Sequence, residues 1–183
     1  MAPTPSLADV VARGRRRLED AGQPAGEAAR DASLLARHLL GWDEAGWLVR
    51  QREPASPAFR TQCSTLIERR AAAEPIAYLI GEREFYGRMF RVTRDVLIPR
   101  PETELIVDAA LGELGRGGEA PRAILDIGTG SGCLAVTLAL ESPAAAVVAT
   151  DVSAAALEVA KANAQAFGAG ARIVFRLGSL LAG

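Results

Sequence analysis

The residues with the clearest chemical potential form a glycine-rich loop between a strand and a helix. The apolar run Ala123–Ile127 leads into Gly128-Thr129-Gly130-Ser131-Gly132, and a helical pattern follows to about Glu141. Glycines remove Cβ atoms where a ligand must approach the backbone, and the following helix is expected to point free N–H groups at that ligand. The loop therefore predicts a small-molecule site.

The spacing of the glycines argues against the two common phosphate-binding loops. A nicotinamide-binding loop has Gly-x-Gly-x-x-Gly, but Cys133 stands where this pattern requires its third glycine. A P-loop needs Gly-Lys-Ser/Thr, which does not follow the glycines here.

Two acidic residues flank the loop in the predicted sheet. Asp151 ends the next predicted strand, where a carboxylate can accept hydrogen bonds from both ribose hydroxyls of an adenosine cofactor. Asp126 would repel a pyrophosphate but suits a ligand that carries an ammonium group and a sulfonium centre. The loop and the two acids together predict an S-adenosylmethionine site.

The elements that position these residues alternate between strand and helix. A helix opened by Pro101 is expected to reach about Leu114, and a later helix is capped by Ser153. Strands are predicted at 123–127, 146–151 and 172–177. This β-α-β-α-β order indicates an α/β fold, the first half of a doubly wound, Rossmann-like sheet. With only half the sheet, Leu134, Val136, Leu138 and Val174 are expected to be poorly covered.

Residues 6–72 have helical periodicity and predict a small bundle of four helices. The first, third and fourth helices are expected to begin at Ser6 with Asp9, at Asp43, and at Ser56 before Pro57. The second helix, about 26–40, is expected to end at Gly41. Pro75 is expected to end the fourth helix. These patterns predict a helical N-terminal domain over 1–73.

A β-hairpin connector is predicted over 74–99, followed by an incomplete methyltransferase domain over 100–183. A two-residue turn at Gly87-Arg88 would pair Phe85 with Phe90 and Glu84 with Arg91.

Composition excludes several classes of protein. Hydrophobic residues make up 49%, charged residues 23%, and the net charge is −1, which argues against disorder and against a dedicated nucleic-acid binder. His38 lies in an apolar helical pattern, so neither a metal site nor a catalytic histidine is expected. Cys63 and Cys133 are expected to be reduced, buried and inert. The sequence has no bilayer-spanning run and no signal segment, so we expect a cytoplasmic protein.

Three stretches resemble the peptide chain release factor glutamine methyltransferases. They are Gly81-Glu82-Arg83-Glu84-Phe85-Tyr86-Gly87, then Leu97-Ile98-Pro99-Arg100-Pro101-Glu102-Thr103-Glu104, then Leu125 to Gly132. The resemblance covers nearly the whole chain, and the Pro-Arg-Pro-Glu-Thr-Glu stretch is more specific than the glycine loop.

The resemblance implies methyl transfer from S-adenosylmethionine to the side-chain amide nitrogen of glutamine in the Gly-Gly-Gln motif of class 1 release factors. It implies that the helical domain docks the release factor, with no membrane and no direct nucleic-acid partner. Arg100, Glu102 and Thr103 are expected beside the cofactor or the substrate. The cofactor-binding residues are expected to be Asp126, Gly128, Thr129, Gly130, Ser131, Gly132, Asp151, Ser179 and Leu180.

The sequence departs from the family in two places. Related enzymes often have an acid after the third strand for the adenine amino group, whereas this chain has Gly178-Ser179-Leu180. The Asn-Pro-Pro-Tyr motif that holds the target amide does not occur. We therefore expect no catalytic residue within this chain, which would be C-terminally shortened and inactive alone.

Two other functions remain open at this point. A nucleic-acid adenine-N6 methyltransferase also modifies a planar amino group and uses a similar terminal motif. A non-catalytic module that binds the cofactor or a release factor is favoured by the missing motif.

Overall fold

The computed structural model describes residues 4–116 and 123–179. The chain divides into two compact units, Met1–Ile80 and Gly81–Gly183. The segment 74–99, predicted as a connector, is thus split between them, because the hairpin side chains Phe85 and Phe90 are buried in the core of the second unit. No helix in the described ranges is both long enough and apolar enough to cross a bilayer.

Three helices of the first unit begin at the predicted capping residues. The Ser6 hydroxyl accepts a hydrogen bond from the Asp9 N–H, and the Asp9 carboxylate accepts one from the Ser6 N–H. Asp43 and Ser56 cap their helices through the N–H groups of Gly46 and Phe59. The helices are α1 (Leu7–Asp20), α2 (Ala25–Leu40), α3 (Glu44–Arg50), α4 (Pro57–Ala71) and α5 (Ile76–Ile80).

The role predicted for Pro75 is wrong. Helix α4 ends at Ala71, and Ala73 adopts a positive φ of 64° before the proline is reached. The Pro75 carbonyl instead accepts hydrogen bonds from the N–H groups of Tyr78 and Leu79, which begins α5. Proline fits this position because the first residues of a helix have no N–H partner to lose.

The core of the first unit lies between α1, α2 and α4. Gly14 allows α1 to approach α4 closely, since a Cβ at this position would lie 2.9 Å from the Ile67 Cδ1 atom. The most deeply buried large side chains include Leu18, Leu35 and Cys63. Cys63 is free, and burial raises the pKa of its thiol to about 11, which confirms the prediction of a buried, reduced cysteine.

The second unit opens with a hairpin of β1 (Glu82–Phe85) and β2 (Arg88–Arg91). Its turn lies one residue earlier than predicted, so every cross-strand partner is shifted by two residues. Phe85 pairs with Arg88, and Glu84 pairs with Met89. The turn is Tyr86-Gly87, and both residues have positive φ, 51° and 72°. Positive φ at both residues gives the backbone twist that favoured two-residue hairpin turns require. Tyrosine rarely adopts a positive φ, so its presence in the turn could not be predicted from the sequence.

The hairpin turn is fastened to the helix that follows it. A 3₁₀ turn, Pro101–Thr103, leads into α6 (Glu104–Arg116). The Glu104 carboxylate accepts a hydrogen bond of 2.9 Å from the Tyr86 N–H, and the Tyr86 hydroxyl donates to Asp108. The last acid of the Pro-Arg-Pro-Glu-Thr-Glu stretch therefore holds the turn of the hairpin.

A parallel three-stranded sheet forms the rest of the unit, in the order β3 (Ala123–Ile127), β4 (Ala146–Asp151), β5 (Ile173–Leu177). Helices α7 (Cys133–Glu141) and α8 (Ala154–Ala166) connect the strands. The predicted β-α-β-α-β order is confirmed, as is the Ser153 cap, which accepts from the Ala156 N–H. Arg172 belongs to a 3₁₀ turn instead of the third strand.

The apolar surface left exposed agrees with the prediction only at Val174, and Leu134 is partly buried against the core of the second unit. Val136 and Leu138 are buried because α6, α8 and β4 pack around α7. Val174 is exposed as expected. The other exposed apolar side chains of the sheet are Leu125, Ile127 and Leu177.

Candidate cofactor site

The glycine loop leaves the carboxyl end of β3 and turns directly into α7. The N–H groups of Gly128 and Thr129 donate to the Thr150 carbonyl, and the Gly132 N–H donates to the Thr129 carbonyl. The Gly130 N–H donates to the Asp151 carboxylate at 3.0 Å. These four loop N–H groups are therefore already used by neighbouring acceptors within the fold.

The three glycines of the loop differ in what surrounds their Cα atoms. Gly128, Gly130 and Gly132 all have positive φ, at 74°, 55° and 79°. At Gly132 a Cβ would lie 3.0 Å from the Ala160 Cβ, so this glycine lets the loop pack on α8. Added Cβ atoms at Gly128 and Gly130 would meet nothing closer than 4.0 Å. These two positions leave open space beside the loop.

Asp126 lies at the base of the loop and is half-buried. It accepts a hydrogen bond of 2.7 Å from the Thr129 hydroxyl. Burial raises the pKa of Asp126, and the nearby Asp151 charge adds to this, while the hydrogen bonds from Thr129 and the Ala135 N–H oppose it. A buried carboxylate of this kind is stabilised by a cationic ligand.

We expect Asp126→Asn to increase the stability of the ligand-free protein and to weaken cofactor binding at least about tenfold. Asparagine can still accept the Thr129 hydrogen bond but carries no buried charge. The contribution of Asp126 to the stability of the unchanged protein declines as pH rises from the ordinary carboxyl pKa of 3.8 through the raised value. The gain in stability of Asp126→Asn over the unchanged protein should therefore be largest near pH 7 and vanish below pH 3.8.

The measurement is urea unfolding across this pH range, together with calorimetric titration of S-adenosylmethionine. Glu158→Gln, an exposed charge on α8, serves as the control and should change neither quantity. A variant less stable than the unchanged protein at pH 7 would contradict the assignment of a strained, buried charge.

Asp151 ends β4 and organises the backbone on both sides of it. One carboxylate oxygen accepts from the Gly130 N–H at 3.0 Å, and the other accepts from the Ser153 N–H at 2.9 Å. Each oxygen retains capacity for a second hydrogen bond, so the same carboxylate can hold the loop and also accept from a ligand hydroxyl.

A cavity of about 160 Å³ lies between the glycine loop and the segment that precedes α6. Arg100 and Thr103 line this cavity, whereas Glu102 is exposed and outside the lining. The lining side chains and backbone belong to Leu97, Ile98, Pro99, Arg100, Thr103, Asp126, Gly128, Thr129, Gly130, Ser131, Cys133 and Leu134.

Some predicted site residues lie elsewhere. Asp151 does not line the cavity but accepts a hydrogen bond from the N–H group of Gly130, which does. Gly132 packs against α8. Ser179 is exposed at the end of the described chain, and Leu180 lies outside the described residues.

Sequence reasoning missed the contribution of Leu97, Ile98 and Pro99 to the cavity. These residues were informative only through the family resemblance, because no local pattern brings them to the loop. Cys133, predicted to be inert, is free and buried at the cavity wall. Burial raises the pKa of its thiol, which keeps it neutral.

The residues present fit S-adenosylmethionine. The half-buried Asp126 carboxylate offers a partner for a cation, and the open space at Gly128 and Gly130 admits a ligand close to the backbone. The buried Ser131 hydroxyl has no hydrogen-bond partner within the described residues and lines the same cavity. The four internally bonded N–H groups also suit a ligand without phosphate.

Comparison with known proteins agrees with this chemistry. Residues 9–81 match the PrmC N-terminal domain, and residues 108–179 match the methyltransferase small domain. The release factor glutamine methyltransferase of Bordetella pertussis is 51% identical over 155 residues, which are 85% of this chain and 55% of the relative.

Two further relatives carry the same name. That of Cereibacter sphaeroides is 46% identical over 93% of this chain and 58% of the relative. That of Deinococcus radiodurans is 44% identical over 97% of this chain and 62% of the relative. The chain thus spans somewhat more than half the length of these curated relatives. By these matches it belongs to the release factor glutamine methyltransferase family, whose cofactor is S-adenosylmethionine.

Proposed function

We propose that the protein methylates the side-chain amide nitrogen of the glutamine in the Gly-Gly-Gln motif of class 1 release factors. One observation carries this proposal beyond a general methyltransferase. Arg100 and Thr103, from the stretch that is specific to the resemblance, line the same cavity as Asp126 and the glycine loop. This shared cavity supports a role for the family-specific residues at the place where, in the proposal, the methyl acceptor meets the cofactor.

The residues of this chain have separate roles in the proposal. S-adenosylmethionine, when bound, supplies a methyl group activated by its sulfonium centre. Asp126 would hold the positive end of the cofactor, and Asp151 would accept from its ribose hydroxyls while ordering Gly130. Gly128 and Gly130 would admit the cofactor close to the loop backbone.

An amide nitrogen is a weak nucleophile because its lone pair is delocalised into the carbonyl group. Methylation of glutamine therefore depends mainly on holding the acceptor in line with the methyl group. In this proposal Arg100 and Thr103, on the cavity wall formed by the 97–103 segment, contribute to positioning the acceptor.

The test is transfer of radiolabelled methyl groups to a purified class 1 release factor. Because the chain spans somewhat more than half of its relatives, we would assay it alone and joined to the segment that follows the matched part of the Bordetella relative. We expect the joined protein to label the release factor, and a release factor with Gln→Ala in Gly-Gly-Gln to remain unlabelled. The chain alone tests the expectation of inactivity.

Matched controls separate the proposed function from its alternatives. Asp151→Ala in the joined protein should abolish labelling, whereas Glu158→Ala should not. Labelling of DNA in place of the release factor would overturn the proposal in favour of an adenine methyltransferase. Cofactor binding without any labelling would favour a non-catalytic module.

We further propose that the first unit docks the release factor. The proposal is supported by the match of residues 9–81 to the PrmC N-terminal domain. Arginines 13, 17 and 60 line a groove of about 390 Å³ between α1 and α4, which gives this face a basic character. The groove also contains Glu68, which pairs with Arg17 at 2.8 Å.

A further inference from the structure

Asn163 is a buried polar residue in the last turn of α8 that bonds to two separate backbone segments. Its side-chain oxygen accepts from the Arg91 N–H at 2.8 Å. Its amide nitrogen donates to the Arg91 carbonyl at 3.0 Å and to the Ser131 carbonyl at 2.8 Å. The residue is 2% exposed, and it is surrounded in sequence by alanines.

The two segments that Asn163 joins lead to opposite walls of the cofactor cavity. Ser131 belongs to the glycine loop and lines the cavity itself. Arg91 ends β2, and the chain runs from it to Leu97 and Arg100, which line the other wall. One side chain therefore bonds to the loop and to the start of the segment that faces it.

The chemistry of these bonds requires an amide. The Arg91 peptide offers one donor and one acceptor, and Ser131 offers a second acceptor, so the partner must accept once and donate twice. Of the side chains similar in size to asparagine, only asparagine does this without charge. A residue needed only to fill space at this depth would be apolar, since burying an amide is costly unless it is fully bonded.

We propose that Asn163 is a positioning residue for S-adenosylmethionine binding, which sets the spacing between the glycine loop and the segment that begins after Arg91. It touches neither the cofactor nor the acceptor in this role. Its effect is to hold Ser131, and with it the loop, at one distance from the Leu97–Arg100 wall. The proposal rests on the cofactor of the family and does not depend on which acceptor is methylated.

The test compares Asn163→Ala with Ile173→Ala, both in the full chain and at a temperature well below each unfolding midpoint. Ile173 is buried at the amino end of β5, whereas the glycine loop lies at the carboxyl ends of the parallel strands. Both variants should lower the unfolding midpoint. Only Asn163→Ala should weaken S-adenosylhomocysteine binding in calorimetry, by about tenfold or more.

A second readout needs no cofactor. Hydrogen exchange at residues 128–132, followed by mass spectrometry, should become faster in Asn163→Ala and remain unchanged in Ile173→Ala. This measurement also distinguishes a failure of the inference from a failure of the proposed function, since neither exchange nor S-adenosylhomocysteine binding involves a release factor.

Equal affinity and equal loop exchange in Asn163→Ala and the unchanged protein would overturn the proposal and leave Asn163 as a packing residue. If Asn163→Ala does not fold, Asn163→Asp replaces it, because aspartate has the same shape and keeps the acceptor for the Arg91 N–H. Its carboxylate cannot donate to the two carbonyls, so the same loss of affinity and faster exchange are expected. Unchanged values in that variant would also overturn the proposal.

Discussion

Asp151→Ala should weaken S-adenosylmethionine binding by at least about 2 kcal/mol, the range for hydrogen bonds to a charged group. The substitution removes the carboxylate proposed to accept from the ribose hydroxyls. It also releases the Gly130 and Ser153 N–H groups, so the loop and the start of α8 both lose their acceptor. Because both effects weaken binding, we expect this substitution to cause one of the largest losses of cofactor affinity.

Isothermal titration with S-adenosylmethionine provides the measurement. Glu158→Ala removes an exposed acid from α8 and should leave the affinity unchanged. Asp151→Asn should be intermediate, since its side-chain oxygen can still accept from one N–H group while its charge is lost. Equal affinity of Asp151→Ala and the unchanged protein would remove Asp151 from the site.

Gly130→Val should abolish cofactor binding, which corresponds to a loss of at least about 3 kcal/mol from backbone strain and overpacking together. Gly130 has a φ of 55°, a conformation that a β-branched residue adopts only at a cost. Its position also lines the cavity, so the added side chain would occupy ligand space. Circular dichroism should show that the helices of the first unit remain folded.

Gly168→Val is the matched control for this substitution. Gly168 also has a positive φ, 71°, and an added Cβ there would meet nothing within 4 Å. It belongs to the same unit but follows α8, away from the cavity lining. The control should therefore lose stability and keep its cofactor affinity. Equal loss of affinity in both variants would show that strain, and not the position of Gly130, is responsible.

Secondary structure was largely predictable because its signals are local. Ser6 with Asp9, Ser56 before Pro57, and Ser153 each satisfy helix N–H groups within three residues, so their effect does not depend on the rest of the fold. The bounds of the first two strands of the sheet likewise follow from short apolar runs between turn residues.

The errors concern choices that depend on more distant partners. The hairpin turn lies at Tyr86-Gly87, where the Tyr86 N–H is bonded to Glu104, a residue of the following helix. Gly87 alone is compatible with either register, and the tertiary contact favours one. The hydrogen bonds of the Gly128, Thr129 and Gly130 N–H groups could not be predicted for the same reason, since their acceptors Thr150 and Asp151 belong to the neighbouring strand.

The sequence by itself determined the chemistry of the candidate site. It contains two acids and a glycine loop that lacks the third glycine of a pyrophosphate-binding loop, and its single histidine and two cysteines form no metal-binding pattern. Only the tertiary structure decided that the 97–103 segment faces that loop and that the Asn163 side chain bonds to the backbone of both Arg91 and Ser131. The physical reason is that residue type and local spacing govern turns and caps. The walls of a cavity, by contrast, are set by how the hairpin, α6 and α8 pack on the sheet, through contacts between residues far apart in the chain.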